Sequence, residues 1–324
     1  MVTSPEPKAH SAGQLLSLLA CPADHARLIS TEQALTCPQC ARDFPIIDGI
    51  PVLAEGDETT THDEIDHLVG HSDDHKRAQA AFFDEASAVE FEITRPHGTP
   101  GLYRWMLDEK LSRAVRGIED LLPGATALVV CGGSGMDAEY LARSGANVIS
   151  SDISLGAARR TAARARRYGL EITPIVADAE RLPFRDRAID VVTVHDGLHH
   201  LENPERALME MARVADRAIS VSEPAEAAVT ALAVRLGLAL EREEAGNRVN
   251  RLRLEDVAAV LRARGFAIVS AGRYAMYYRH VPGSLMRLLS SPPLVPIVRA
   301  SIRMANLVAG KRGNKLSVVA TRSD

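Results

Sequence analysis

Two sets of residues have the types and the spacing to do chemistry. The first lies near the start of the chain. Cys21-Pro22-Ala23-Asp24 and Cys37-Pro38-Gln39-Cys40 are two ligand-x-x-ligand turns with 12 residues between them. Paired donors on two tight turns suit a tetrahedral zinc ion, with Asp24 or the adjacent His25 as fourth ligand. The alternative is a ribbon that stands without metal. A metal here is expected to be structural, since catalytic zinc keeps an open position for its substrate.

The second set runs from residue 127 to 223. An apolar run, Ala127-Leu128-Val129-Val130, passes into Cys131-Gly132-Gly133-Ser134-Gly135. A strand that must turn sharply into a helix while its backbone approaches a bulky ligand needs glycine, for its dihedrals and for the room it leaves. Asp152 lies 17 residues beyond Gly135, at the end of the next apolar run. A carboxylate there can accept both hydroxyls of a ribose. Asp178 follows a third run, within Val176-Ala177-Asp178-Ala179-Glu180-Arg181-Leu182-Pro183-Phe184, placed to accept from an adenine amino group. The run His195-Asp196-Gly197-Leu198-His199-His200 follows a fourth, and Glu223 closes a fifth. Histidines at such an edge can move protons near neutral pH.

These residues need a scaffold that brings strand ends together. Short apolar runs at Ala127–Cys131, Asn147–Ser151, Glu171–Val176, Ile189–His195 and Ala218–Ser222 read as strands. Helical stretches at Asp137–Arg143, Leu155–Tyr168 and Pro204–Val214 separate most of them. Phe266–Ala271 and Leu316–Ala320 supply a sixth and a seventh strand. The alternation predicts an α/β fold: a Rossmann-like, seven-stranded, mostly parallel sheet with helices on both faces, plus a small N-terminal zinc-ribbon-like module. Strand carboxyl ends then share one edge, where ligands bind.

The predicted organisation is a ribbon-like module at 1–54, a linker at 55–75 and the main domain at 76–324. The linker is rich in Asp, Glu and His, and His62, His67, His71 and His75 read as solvated residues rather than metal ligands. Residues 76–123 read as helical. Phe82, Phe83, Phe91, Tyr103, Trp105 and Met106 are expected to pack on the main domain or, in part, to cover the bound ligands. Helical insertions are expected at about 225–250 and 274–314, of the kind that form lids or binding surfaces. Arg160, Arg164 and Arg167 share one helix face, a basic stripe that could meet phosphate or RNA but is expected to be solvated.

With 38 Lys and Arg against 42 Asp and Glu, the net charge is −4, which argues against a general nucleic-acid binder. Four cysteines are too few for a disulfide scaffold. There is no leader pattern and no uncharged apolar stretch of roughly 18 residues, so no membrane span is expected and the expected location is cytoplasmic. The most apolar late segment, residues 292–310, contains Arg299 and Arg303.

The glycine turn, the Asp178-to-Phe184 run and the Leu198-His199-His200-Leu201 run together resemble the class I S-adenosylmethionine (SAM) dependent methyltransferase family, over roughly 120–272 plus the last strand. The resemblance implies that Cys131, Gly132, Gly133, Ser134 and Gly135 line the cofactor, the last three along its methionine part. It implies that Asp152 and Ile153 hold the ribose and adenine, that Asp178 and Ala179 hold the adenine edge, and that His195 lies beside the sulfonium. The chain departs from the family at Val129, where an acid is usual, and at Cys131, where a glycine is usual; Asp137 is a candidate substitute for the acid. Leu18 to Leu53, ending Phe44-Pro45-Ile46-Ile47-Asp48-Gly49-Ile50-Pro51-Val52-Leu53, resembles the zinc ribbon that precedes some methyltransferases.

The implied reaction is in-line methyl transfer to an O, N or C atom, in which the protein mainly aligns the reactants. His199 or His200 is the candidate base, with helix packing as the plainer role. Glu223 either meets substrate or satisfies backbone donors. A small, apolar or secondary-metabolite substrate is expected because of the apolar insertions. Two alternatives are an RNA-modifying methyltransferase and a non-catalytic SAM-fold binding protein.

Overall fold

The computed structural model describes residues 10–31, 33–54, 74–84, 94–95, 97–227, 250–277 and 282–323. Helix α1 (Ala12–Leu18) is closed by a capping box between Ser11 and Gln14. It leads into an antiparallel meander of β1 (Ile29–Ser30), β2 (Ala34–Thr36), β3 (Asp43–Ile47) and β4 (Ile50–Pro51). Helices α2 (Asp74–Asp84) and α3 (Gly101–Ala114) follow. The main sheet is built from β5 (Thr126–Val130), β6 (Asn147–Asp152), β7 (Ile172–Val176), β8 (Ile189–His195), β9 (Ala215–Pro224), β10 (Phe266–Tyr274) and β11 (Lys315–Arg322). Helices α4 (Met136–Arg143), α5 (Leu155–Tyr168), α6 (Pro204–Val214) and α7 (Leu254–Ala263) connect its strands, and α8 (Ser284–Leu289) and α9 (Val295–Ala309) lie between β10 and β11.

The strand order is β10-β11-β9-β8-β5-β6-β7. The five strands from β9 to β7 are parallel, and β11 is antiparallel to both its neighbours. This is the predicted seven-stranded, mostly parallel sheet. The central strands are apolar on both faces because helices cover both: Leu128 and Val130 face one apolar cluster, Ala127 and Val129 the other. The chain runs outward in both directions from β5 and β8. Their carboxyl ends are the switch point where such sheets take ligands.

Local chemistry sets the helix boundaries. The Ser154 hydroxyl accepts the Ala157 N–H at 2.9 Å to start α5, and Gly169 ends it at φ +62°. Asn203 accepts the Arg206 N–H at 3.0 Å ahead of Pro204 in α6. Both helices span the predicted residues. Strands β9, β10 and β11 run longer than predicted, since antiparallel pairing continues past the buried residues.

The ribbon shares the core of the main domain. Val52 pairs with Val176 of β7 in parallel, and the Leu53 N–H donates to the Val176 carbonyl at 2.7 Å. Leu19 pairs with Phe184, and Leu15, Leu28, Leu35 and Phe44 belong to the same apolar cluster as Ile175, Leu182 and Phe184. The ribbon therefore covers the β7 edge, which would otherwise present unpaired backbone groups. The predicted linker falls outside the described residues except Asp74 and His75, which are on α2, where His75 is half-buried rather than solvated; most of the expected 225–250 insertion lies outside them as well.

Candidate functional site

The turn after β5 is shaped by contacts that exclude side chains. A Cβ on Gly132 would lie 2.2 Å from Ser150 Oγ, and one on Gly135, at φ +80°, would lie 2.8 Å from Thr161 Oγ1. At Gly133 a Cβ would meet no atom within 4 Å, so this face of the turn is open to a ligand. Cys131 sits at φ +54°, where a residue with a side chain is strained. Its room comes from Gly197: a Cβ there would lie 2.4 Å from Cys131 Cβ. Burial, reinforced by Asp152 and Glu223, pushes the Cys131 thiol well above its usual range. Ser134 is buried, and its carbonyl accepts from Arg164 Nε at 2.8 Å.

Asp152 ends β6. One carboxylate oxygen accepts the Gly133 N–H at 2.9 Å and the other the Ser154 N–H at 3.0 Å. Burial raises its pKa against these two bonds. Ile153 beside it is half-buried, and Ala179 is in the core. Asp178 accepts the Glu180 N–H at 2.8 Å on one oxygen and pairs with Lys76 Nζ at 2.8 Å on the other.

Lys76 belongs to α2, which lies across this rim. Its ammonium also reaches Glu180 at 3.2 Å. Burial opposes its charge, but the two carboxylates outweigh burial and raise its pKa. At the other end of α2, Asp84 Oδ1 accepts the Ser154 hydroxyl at 2.6 Å and the Gly156 N–H at 2.7 Å. Arg160 donates to the Phe83 carbonyl at 2.7 Å, and His75 Nε2 meets the His200 carbonyl at 2.8 Å. Part of the segment predicted to pack or to cover thus spans the ends of β6, β7 and β8.

His195 ends β8 and is 9% exposed. Its ring nitrogens are shut from solvent and make no hydrogen bond; the nearest carboxylate oxygens are those of Asp137, at 3.4 Å, and Asp196, at 4.0 Å. A buried imidazole without hydrogen bonds at the end of β8, the strand paired with β5 before the glycine turn, fits a polar ligand group at this point. Asp196 pairs with the buried Lys110 and, at 2.8 Å, with Lys315. Burial would raise its pKa, but the two lysines hold it well below the carboxylate range. Val129, at the family's acid position, is fully buried in the core.

His199 and Glu223 form a dyad. Glu223 Oε2 accepts from His199 Nδ1 at 2.8 Å, and Oε1 accepts the Gly197 and Leu198 N–H groups, both at 2.8 Å. An acceptor on Nδ1 makes Nε2 the basic nitrogen. His200 lies against His199 with ring centroids 4.1 Å apart. Glu223 is fully buried, so of its two predicted roles the structure shows the satisfaction of donors.

The solvated reading of the arginine stripe is overturned for two of its members. Arg164 is fully buried, bound to Glu139 at 2.6 Å, and Arg160 is 8% exposed; Arg167 is exposed. Their aliphatic stems pack under α2 and the glycine turn while buried acceptors take the guanidinium heads. Sequence reasoning missed Lys76, Lys110 and Lys315. Lys110 had a signal: it shares a helix face with Met106, Leu107 and Ala114, a charge on an apolar stripe.

In the ribbon, one donor atom from each of Cys21, Asp24, Cys37 and Cys40 lies within 4.8 Å of the other three. Cys21 Sγ and Cys40 Sγ are 3.7 Å apart, and Cys37 Sγ is 3.4 Å from an Asp24 oxygen. Tetrahedral zinc with thiolates at 2.3 Å separates its ligands by about 3.8 Å, so the donor set fits the ion. His25 stands outside the set. Burial, foremost, pushes the Cys21 thiol up to about 12.

Residues 128–218 match the family described as methyltransferase domain, and residues 14–49 match the Trm112p-like protein family. A demethylmenaquinone methyltransferase of Renibacterium salmoninarum is 33% identical over 135 residues, which are 42% of this chain and 53% of the relative. One from Mycobacterium bovis is 36% identical over 107 residues, 33% of this chain and 43% of the relative. The chain thus spans about half the length of these relatives. Among solved structures, magnesium protoporphyrin IX methyltransferase from Synechocystis PCC 6803 with bound SAH aligns with a TM-score of 0.52 and 20% identity, over 75% of this chain and 98% of that one. The cyclase SpnF aligns with a TM-score of 0.50 and 18% identity, over 76% and 96%. The chain thus has a Rossmann-like fold whose residues 128–218 match a methyltransferase domain, behind a ribbon module whose residues 14–49 match a Trm112p-like protein. A cyclase shares this fold, so the fold alone does not set the reaction.

Proposed function

We propose that this protein is a SAM-dependent methyltransferase acting on a small apolar acceptor, with a structural zinc in its ribbon. The observation that carries the proposal is the convergence of four features at one sheet edge: the open Gly133 face, the Asp152 carboxylate, the His195 imidazole and the His199–Glu223 dyad. When bound, SAM supplies a methyl group already activated on a positively charged sulfur.

The chain's residues then have distinct tasks. Gly132 and Gly133 let the backbone approach the donor, Asp152 takes the ribose hydroxyls, and Asp178 takes the adenine amino group in exchange for Lys76. His195 borders the reacting centre. His199 removes the acceptor's proton at Nε2, and Glu223 stabilises the imidazolium that forms. The relatives named for demethylmenaquinone support an apolar, quinol-like acceptor. The RNA alternative loses ground because two arginines of its basic stripe are buried.

The ties of α2 across the rim favour one second reading, a SAM-fold binder without catalysis. Calorimetric titration with SAM, followed by an assay for S-adenosylhomocysteine release with a naphthoquinol acceptor, separates the two. Saturable heat that weakens at least about tenfold in Asp152→Ala is expected, since bonds to a charged group are worth roughly 1.5–3 kcal/mol. No heat from the wild type sinks both readings; heat without turnover on a panel of apolar acceptors leaves the binder.

A further inference from the structure

Helices α8 and α9 interrupt two antiparallel strands, β10 and β11, that a hairpin could join. Their inner faces rest on α3 and the end of β10: Met286, Leu289, Val295, Val298 and Ile302 pack against Leu102, Trp105 and Met106 and against Tyr274 and Met276. Their outer faces are also apolar. Leu307 and Val308 are 81% and 82% exposed, and Leu285, Leu288, Ile297 and Met304 are each at least 60% exposed. A helix with apolar residues on its outer as well as its inner face needs an apolar surrounding on both. On this outer face the described residues supply none.

The charge around the patch says what the surrounding is. Residues 282–315 hold six Lys and Arg and no Asp or Glu, in a chain of net charge −4. Arg299 and Arg303 lie over the Trp105 ring at 5.1 and 5.5 Å, which pins α9 to α3. Arg287, Lys311 and Arg312 are exposed at the helix ends. A self-complementary dimer through this face would bring two predominantly basic rims into one interface, with Glu109 of α3 3.6 Å from Arg303. An anionic bilayer offers hydrocarbon to the leucines and phosphates to the cations. Helix α9 has 15 residues, fewer than the ~20 that span a bilayer, so it lies in the interface plane.

We infer that the outer face of α8 and α9 docks the protein on anionic lipid bilayers. This surface is independent of the methyl-transfer reading. In an enzyme with an apolar acceptor, it would place the site beside the phase where that acceptor dissolves. The connection is α3, which carries both Trp105 under the helices and Lys110 in the Asp196 cluster.

The test is co-sedimentation of the full chain with vesicles of phosphatidylcholine alone and of phosphatidylcholine mixed equally with phosphatidylglycerol. Binding is expected on the mixed vesicles, weaker on the neutral ones, and reduced by added salt. Leu307→Ser with Val308→Ser removes exposed apolar surface without touching the core and is expected to weaken binding about tenfold or more. Lys311→Glu with Arg312→Glu is expected to weaken it by about fivefold per cation. Circular dichroism melting checks that both variants stay folded. The inference falls if the wild type ignores mixed vesicles, or if both folded variants bind as it does. It also falls if sedimentation equilibrium finds a dimer that Leu307→Ser with Val308→Ser dissociates while vesicles capture neither protein.

Discussion

Gly197 and Cys131 are shaped to each other: the carbon that Gly197 lacks would lie 2.4 Å from the Cys131 Cβ. The pair joins the loop after β8 to the turn after β5 at the sheet's switch point. Cys131 holds φ +54°, a left-handed conformation that strains any residue but glycine. Gly197→Ala is therefore expected to destabilise the fold by roughly 1–3 kcal/mol through overpacking. Cys131→Gly should relieve the φ strain and rescue Gly197→Ala. Chemical denaturation of the single and double variants measures the coupling, and additive effects would contradict it.

Glu223→Gln keeps the shape of the dyad but removes the charge that stabilises an imidazolium at His199. A loss of about 10²–10⁴ in kcat is expected, with SAM affinity unchanged. His199→Ala should match it, and the double variant should cost little more. His200→Ala, by contrast, should retain most of the activity. Steady-state kinetics with separate binding titrations checks each.

Lys110 is buried and depends on Asp196 for its countercharge. Asp196→Asn should destabilise the protein by about 3–5 kcal/mol, the usual result of stranding a buried charge. The pH dependence follows from the sign. The folded pKa of Asp196 lies well below its ordinary value, so its contribution is present above the unfolded pKa near 3.9 and is lost as pH falls through the folded value. The gap between wild type and Asp196→Asn in acid melting should begin to narrow below about pH 4 and close only as pH falls through the lower folded value. Curves that remain parallel there would rule this out.

Lys76 holds an oxygen of Asp178 that a nucleoside amino group would need. Lys76→Ala is expected to tighten SAM binding by about tenfold, the value of one bond to a charged group. Calorimetry gives the answer, and weaker binding would make Lys76 part of the cofactor's own cradle.

The ribbon's metal can be tested without activity. Purified protein should carry about one zinc per chain by elemental analysis. Because the ribbon shares its core with β7, Cys37→Ser or chelation should lower the melting temperature of the whole protein. An unchanged melting curve in metal-free protein would mean that the ribbon stands on its apolar core alone.

Local pattern was enough to read the alternation of strands and helices, the glycine turn and the candidate ribbon donors Cys21, Cys37 and Cys40, with the choice between Asp24 and His25 left to the structure. Sheet and helix periods, turn glycines and ligand-x-x-ligand turns are short-range features, written within a few residues. The long insertion before β11 was legible for the same reason. Its two-sided apolar character was not, because burial of one helix face depends on what lies beneath it. The arginines of α5 show the converse: a basic stripe reads as solvated until α2 and Glu139 cover it.

What the amino-acid order determined alone was the sheet, its glycine turn and the carboxylates at its strand ends. Which side chains meet there was decided by the crossovers. Glu223 reaches His199 across 24 residues, Lys110 reaches Asp196 across 86, and Lys76 reaches Asp178 across 102. None of these pairs has a local signature, because each partner's position is set by a different helix or strand packed against the sheet.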